Sequence, residues 1–347
     1  MSEAVSRLAG ENRARLSLLR LICTVSIWRT ALTRVLPLCG ASAWWVMLCC
    51  LVPGFILAAL LRWLMRIVGA PTLMELLRRC LGRFGAGLLA AVLLLPLAVE
   101  ALAELTTLMT VFTQGVGTRG TQFTLAVLTG VLLLPCLHRE GLARAVYLLR
   151  WGMAAAAVVL AAFLLTDAKA DHLFPLYGEG NAAIQTALKA GVGMGWPIVL
   201  MLTTEPVLPG RLRGAVLPAA CAVGLVLVAV LTMPHEVMRR ADTVADTLLL
   251  PVRYSGNWLR LLHLCLLMLS FFLSMGGCVL LSSEQICVWV PRAQSWLNWM
   301  LLSGLVLSQT VPAAEVMRLL SSVESGLLAP LGGMALLVIP IAAARRR

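Results

Sequence analysis

Ala190-Gly191-Val192-Gly193-Met194-Gly195-Trp196-Pro197 is the stretch on which the reading of this chain turns. Three glycines at alternate positions and a proline interrupt an apolar run from about Ala182 to Leu202. Glycine loosens a helical backbone, and proline removes a hydrogen-bond donor. In a bilayer core, backbone groups without helical partners are tolerated only where they are buried in protein or line a polar cavity. A broken helix near the midplane is the form that small-solute sites take in secondary transporters. Small residues also let two helices approach closely, so a packing contact or a simple proline kink is the other reading of the same residues.

Composition places the run in a membrane. The chain has 347 residues, of which 60% are hydrophobic and 13% charged, and its mean hydropathy is +0.92. Soluble domains run at about 45–50% apolar and about 25% charged. The first fifteen residues are polar and hold Arg7, Arg13 and Arg15, so no cleavable signal peptide is expected. At about 20 residues per span, ten transmembrane helices are expected, over 17–38, 43–65, 86–113, 121–137, 146–166, 182–205, 214–233, 256–281, 294–311 and 326–344. The expected fold is therefore an all-α polytopic membrane protein, a single integral domain over residues 1–347. Between the second and third spans, Pro71 to Arg79 reads as an amphipathic surface helix. Met233 to Pro251, with Arg239, Arg240, Asp242 and Asp246, reads as a second surface element on the other side.

The net charge of +12 is nearly all arginine. In a soluble protein it would suggest nucleic acid; here it is a topology signal, and no nucleic-acid partner is expected. With the N-terminus in the cytoplasm, eighteen arginines fall in cytoplasmic segments, from Arg7 through Arg345 to Arg347, against seven basic residues outside. The bias predicts a multi-pass protein with both termini cytoplasmic. Ten spans with a broken sixth suggest two five-helix halves, about 17–166 and 182–344. An odd number of helices per half makes the repeats inverted, so the first span is the counterpart of the sixth.

Candidate site residues follow from that pairing. In the first span Thr24, Ser26 and Thr30 are placed to line a cavity, or to bond back to their own backbone. Arg29 lies in the same span, and a charge at that depth must face the bundle interior or water. Glu100 and Glu104, one helical turn apart in the third span, share a face with Thr107. Two carboxylates in hydrocarbon need a partner, and Arg29 and Lys189 are the candidates. The pair is a proton or charge site, an amine ligand, or an interhelical clamp. Ser270, Ser274 and Gly277 form a small polar stripe on the eighth span, suited to helix packing and to lining a site. The expected ligand-binding set is Thr24, Ser26, Thr30, Glu104, Gly191, Gly193, Gly195, Ser270 and Ser274, and Glu100, Glu104, Arg29 and Lys189 are the expected proton or charge site. The ten cysteines show no metal-ligand spacing, and no nucleophile or phosphate-loop motif occurs. No enzymatic activity, catalytic residue, metal or cofactor is expected.

Ala41-Ser42-Ala43-Trp44-Trp45, then Pro71-Thr72-Leu73-Met74-Glu75 and Leu81-Gly82-Arg83-Phe84, resemble the GerAB-type B subunits of spore germinant receptors. In that family an Asp-Ala-Trp-like motif opens the second span, and a surface helix precedes a Leu-Gly-Lys-like start to the third. His172-Leu173-Phe174-Pro175-Leu176-Tyr177-Gly178-Glu179-Gly180 is similar to the family's loop into the broken sixth helix. The likeness runs over nearly the whole chain in length and span order. It implies the amino acid–polyamine–organocation transporter architecture, a LeuT-like 5+5 inverted repeat with helices 1 and 6 broken. It also implies a receptor subunit that binds a small nutrient germinant, an amino acid or similar, and works with A and C subunits in the spore inner membrane. Glu104 aligns with an acidic position of the family's third span. The chain departs from the pattern at Trp28-Arg29-Thr30, where relatives carry glycine, in the loop Thr113 to Arg119, and at Ala143. An amino acid or amine permease is the other function open to this fold.

Overall fold

A computed structural model describes residues 2–116, 122–134, 141–174, 177, 180–204, 212–233, 248, 256–287 and 294–310. Among them the protein is all-helical. The helices are α1 (Ser2–Thr30), α2 (Leu36–Cys39), α3 (Ala43–Val68), α4 (Leu73–Val116), α5 (Gln122–Leu133), α6 (Gly141–Leu165), α7 (Asn181–Gly191), α8 (Trp196–Thr204), α9 (Leu212–Thr232), α10 (Asn257–Cys287) and α11 (Gln294–Ser308). The described parts of the first nine expected spans are helical. The tenth, 326–344, lies outside the described residues, as does Met233 to Pro251 apart from Met233 and Leu248.

Four stretches among the described residues are long and apolar enough to cross a membrane: Glu11–Val68, Pro96–Thr113, Gly141–Leu165 and Asn257–Glu284. Gly40, at φ 51°, breaks the first of them between α2 and α3. The outer surface is apolar where a soluble protein would be polar. Leu48, Val52, Ile56 and Leu60 form an exposed row at four-residue spacing on α3. Leu148, Trp151, Val158 and Phe163 are exposed on α6. Exposed apolar faces of this kind match a hydrocarbon surround.

Two departures from α geometry matter for the site. After Thr30, α1 widens into a π turn over Ala31–Val35, whose Ala31, Leu32 and Val35 are buried. Between α7 and α8 the chain tightens into a 3-10 turn over Val192–Gly195. The glycine run is thus wound more tightly rather than unwound. Its neighbours explain why glycine stands there. A Cβ on Gly195 would lie 2.6 Å from Gly54 Cα, and one on Gly191 would lie 2.5 Å from Cys50 Sγ. Both glycines let the broken helix seat directly on α3.

The packing is organised around α10. Its most extensive partner is α4, and α1 and α6 also lean on it. α1 in turn packs against α6, α8, α9 and the Val192–Gly195 turn. This arrangement makes α1 the element shared by the broken helix and the α4–α10 pair.

The expected surface helix is the first part of α4. Leu73, Leu76, Leu77 and Cys80 are buried, while Arg78 and Arg79 face outward. Arg79 pairs with Glu75 at 2.9 Å and donates to the carbonyls of Val68 and Gly69, the end of α3, at 3.2 Å each. Gly82, at φ 74° and ψ −177°, separates this part from the long apolar remainder of α4. That backbone region is essentially closed to residues with a side chain. A Cβ there meets nothing within 4 Å, so Gly82→Ala isolates backbone strain from clash. It should lower stability by about 1–3 kcal/mol, read as an earlier thermal transition in detergent. An unchanged transition would show that the kink is not needed.

Candidate functional site

The polar interior lies where α1, α4 and α10 meet. Arg29 is fully buried, and its Nη2 donates to Glu100 Oε1 at 2.7 Å. One turn along α4, Glu104 is also fully buried. Its Oε1 accepts a hydrogen bond from the Ser274 hydroxyl of α10 at 2.6 Å. Its Oε2 has no hydrogen-bond partner among the described residues. Ser26 and Thr30, on either side of Arg29, are buried in the same region of α1. Trp28 stacks on Phe271 with ring centroids 6.3 Å apart, closing the α1–α10 contact beside the row.

The local sequence explains this placement. Glu100 and Glu104 stand at i and i+4, so one face of α4 presents both carboxyls. Ser274 meets Glu104 on the α4 side of α10, while Gly276 and Gly277, two and three residues on, bring α10 close to α5, α6 and α1. A Cβ on Gly277 would lie 2.7 Å from Ile22 Cδ1 of α1. Arg29 and Glu100 balance each other's charge. Glu104 has a hydroxyl on one oxygen, and its second oxygen is buried with no hydrogen-bond partner among the described residues. An acid at this depth suits a proton site, an amine ligand or a polar clamp between α4 and α10.

The structure divides the expected site residues into three groups. Arg29, Glu100, Glu104 and Ser274 come together in the interior row, and Ser26 and Thr30 are buried on α1. Gly191, Gly193 and Gly195 belong to the broken helix, where Gly191 and Gly195 are spent on the contact with α3. Thr24 bonds back to the Arg20 carbonyl at 2.9 Å, and with Ser270 it lines a separate groove. Lys189 is a correction. It is exposed, because α7 buries Ile184, Ala187 and Gly191 and points Lys189 away. Of the two candidates, Arg29 meets a carboxylate, that of Glu100. Thr107 bonds back to the Ala103 carbonyl at 2.7 Å rather than joining the row.

Two features were missed from sequence. Gln309 donates from Nε2 to Thr106 Oγ1 at 3.1 Å, a buried polar contact on the other side of α4 from Glu104. A lone glutamine at the end of an apolar run was its only signal. The groove carrying Thr24 and Ser270 has a volume of about 560 Å³ and lies among α1, α6, α9 and α10. It is lined mostly by alanine, leucine and valine and leaves no motif in the sequence.

No protein-family model matches the chain, and no curated protein matches it.

Proposed function

We propose that the chain is the membrane subunit of a spore nutrient-germinant receptor. It binds a small solute, an amino acid or similar, in a transporter-like core and passes the resulting shape change to A and C subunits. The reading places it in the spore inner membrane with both termini cytoplasmic and a LeuT-like ten-span repeat. The observation that carries it is Glu104, buried in the interior with one oxygen bonded to Ser274 and the other without a hydrogen-bond partner among the described residues. An unbonded carboxyl oxygen sealed from water is the group that the amino end of a small ligand would pair with once the helices part to admit it.

Two further observations support the architecture. The first helix and the α7–α8 pair both leave α geometry, at Ala31–Val35 and at Val192–Gly195, as the leading helices of two related halves would. The α1 helix touches the second break directly and contributes Arg29 to the interior row. A solute held there would bear on both broken helices at once. A ligand shifts a conformational equilibrium only as far as its affinity differs between the two states. Contacts shared by two breakable helices supply such a difference.

A receptor of this type must be read by other proteins. The Met233–Pro251 segment, charged with both signs, is the reporting surface in this account. Reversing Arg239 and Arg240 to Glu should weaken or abolish copurification with the A and C subunits from spore membranes. Solute flux through the chain alone in liposomes, with no partner recovered, would establish the permease instead.

A further inference from the structure

The groove among α1, α6, α9 and α10 is chemically unlike the interior row. Its walls are apolar, and it opens outward where Trp151 and Leu217 are 72% and 54% exposed. Its charge is confined to one end, where Arg20 of α1 and Arg150 of α6 line it together. Arg150 Nη1 lies 3.5 Å from Ser17 Oγ, and its guanidinium sits 3.6 Å over the Tyr147 ring. Neither arginine has a carboxylate partner among the described residues. The Nε of each is buried and has no hydrogen-bond partner among them. Arg150 and Leu164, both on the lining, are fourteen residues apart on α6. That separation is about 21 Å at about 1.5 Å per residue, against about 15 Å for half of a bilayer's hydrocarbon core.

A groove open to hydrocarbon, longer than one leaflet and basic at one end has the complement of a lipid. We propose that it holds one anionic glycerophospholipid. The phosphate sits between Arg20 and Arg150, and one acyl chain lies along the alanine face of α6 toward Leu164. A zwitterionic lipid fits the apolar length but brings its own cation to the arginine end. The anionic headgroup alone gains from both arginines. The site stands apart from the interior row, so it does not depend on the germinant reading.

The test is native mass spectrometry of the full chain, released from nanodiscs of equimolar dioleoyl phosphatidylglycerol and dioleoyl phosphatidylcholine. One phosphatidylglycerol should be retained per chain, favoured over phosphatidylcholine by about thirtyfold, from about 1 kcal/mol for each arginine. Arg20→Gln with Arg150→Gln should remove the preference. Arg20→Lys with Arg150→Lys should keep most of it. Ala157→Trp, which fills the groove without touching its charge, should remove retention of both lipids. Equal retention of the two lipids by the unaltered protein would overturn the proposal, and that arm needs no variant to fold. Displacement of the bound lipid by glycerol phosphate as readily as by whole phosphatidylglycerol would also overturn it, since the chain would then contribute nothing.

Discussion

Arg29→Met should leave Glu100 buried without the guanidinium that now lies 2.7 Å away. Removing one partner of a buried ion pair costs about 3–5 kcal/mol, because the remaining charge has been taken out of water and is no longer matched. That is a large part of the stability of an ordinary protein. The variant should therefore show little monodisperse material after mild heating in detergent. Arg29→Met combined with Glu100→Leu should recover most of the loss, since an apolar pair of similar bulk often replaces a buried ion pair at no net cost. The comparison separates a charge effect from a packing effect at Arg29, which is among the largest fully buried side chains. Equal stability of the single variant and the unaltered protein would mean that the pair does not hold α1 to α4.

The second large effect is expected at Gly195. A Cβ there would lie 2.6 Å from the Cα and 2.8 Å from the nitrogen of Gly54. Backbone atoms have no rotamer by which to move aside, so relief requires α3 and the Val192–Gly195 turn to separate. Overpacking costs about 1–3 kcal/mol and sometimes more, and a backbone-to-backbone clash belongs at the upper end. Alanine also gains up to about 1 kcal/mol of helix propensity over glycine, so the clash must exceed that gain to be seen. Gly224→Ala supplies the control, because nothing lies within 4 Å of a Cβ at that position on α9. Gly195→Ala should lower the thermal transition, and Gly224→Ala should leave it unchanged or raise it. Equal behaviour of the two variants would remove the close approach from the account.

Parts of this structure were legible in the sequence because they depend on near neighbours. Pro197 and the alternating glycines marked a departure from α geometry, and the chain turns 3-10 at Val192–Gly195. What the glycines approach was not legible. Gly54 lies in an ordinary apolar run, and nothing local says that it meets Gly195.

The same division holds in the interior row. The sequence put Glu100 and Glu104 on one face, because a four-residue spacing does so on any helix. It left two cations as partners, and the choice was set by tertiary placement. Lys189 sits opposite the face formed by Ile184, Ala187 and Gly191, which is the face α7 buries. Ser270 and Ser274 read as one stripe, yet Ser274 meets Glu104 while Ser270 lines the groove. Four residues carry the second serine about 6 Å along the axis, enough to give it different neighbours. The groove had no sequence signal, because four helices assemble it from common apolar residues and two arginines that topology alone already explained.

The central claim is that Glu104 receives a small solute in the interior. Its most direct test is equilibrium binding of a panel of amino acids and nucleosides to the purified protein and to Glu104→Gln, both checked to be folded and monodisperse. The account predicts saturable binding of an amine-bearing solute, weakened at least about tenfold in Glu104→Gln, because a hydrogen bond to a charged group contributes about 1.5–3 kcal/mol. Binding that is equal in the two proteins, or a Glu104→Gln variant that differs only in yield, would contradict the claim and leave the carboxylate as a clamp between α4 and α10.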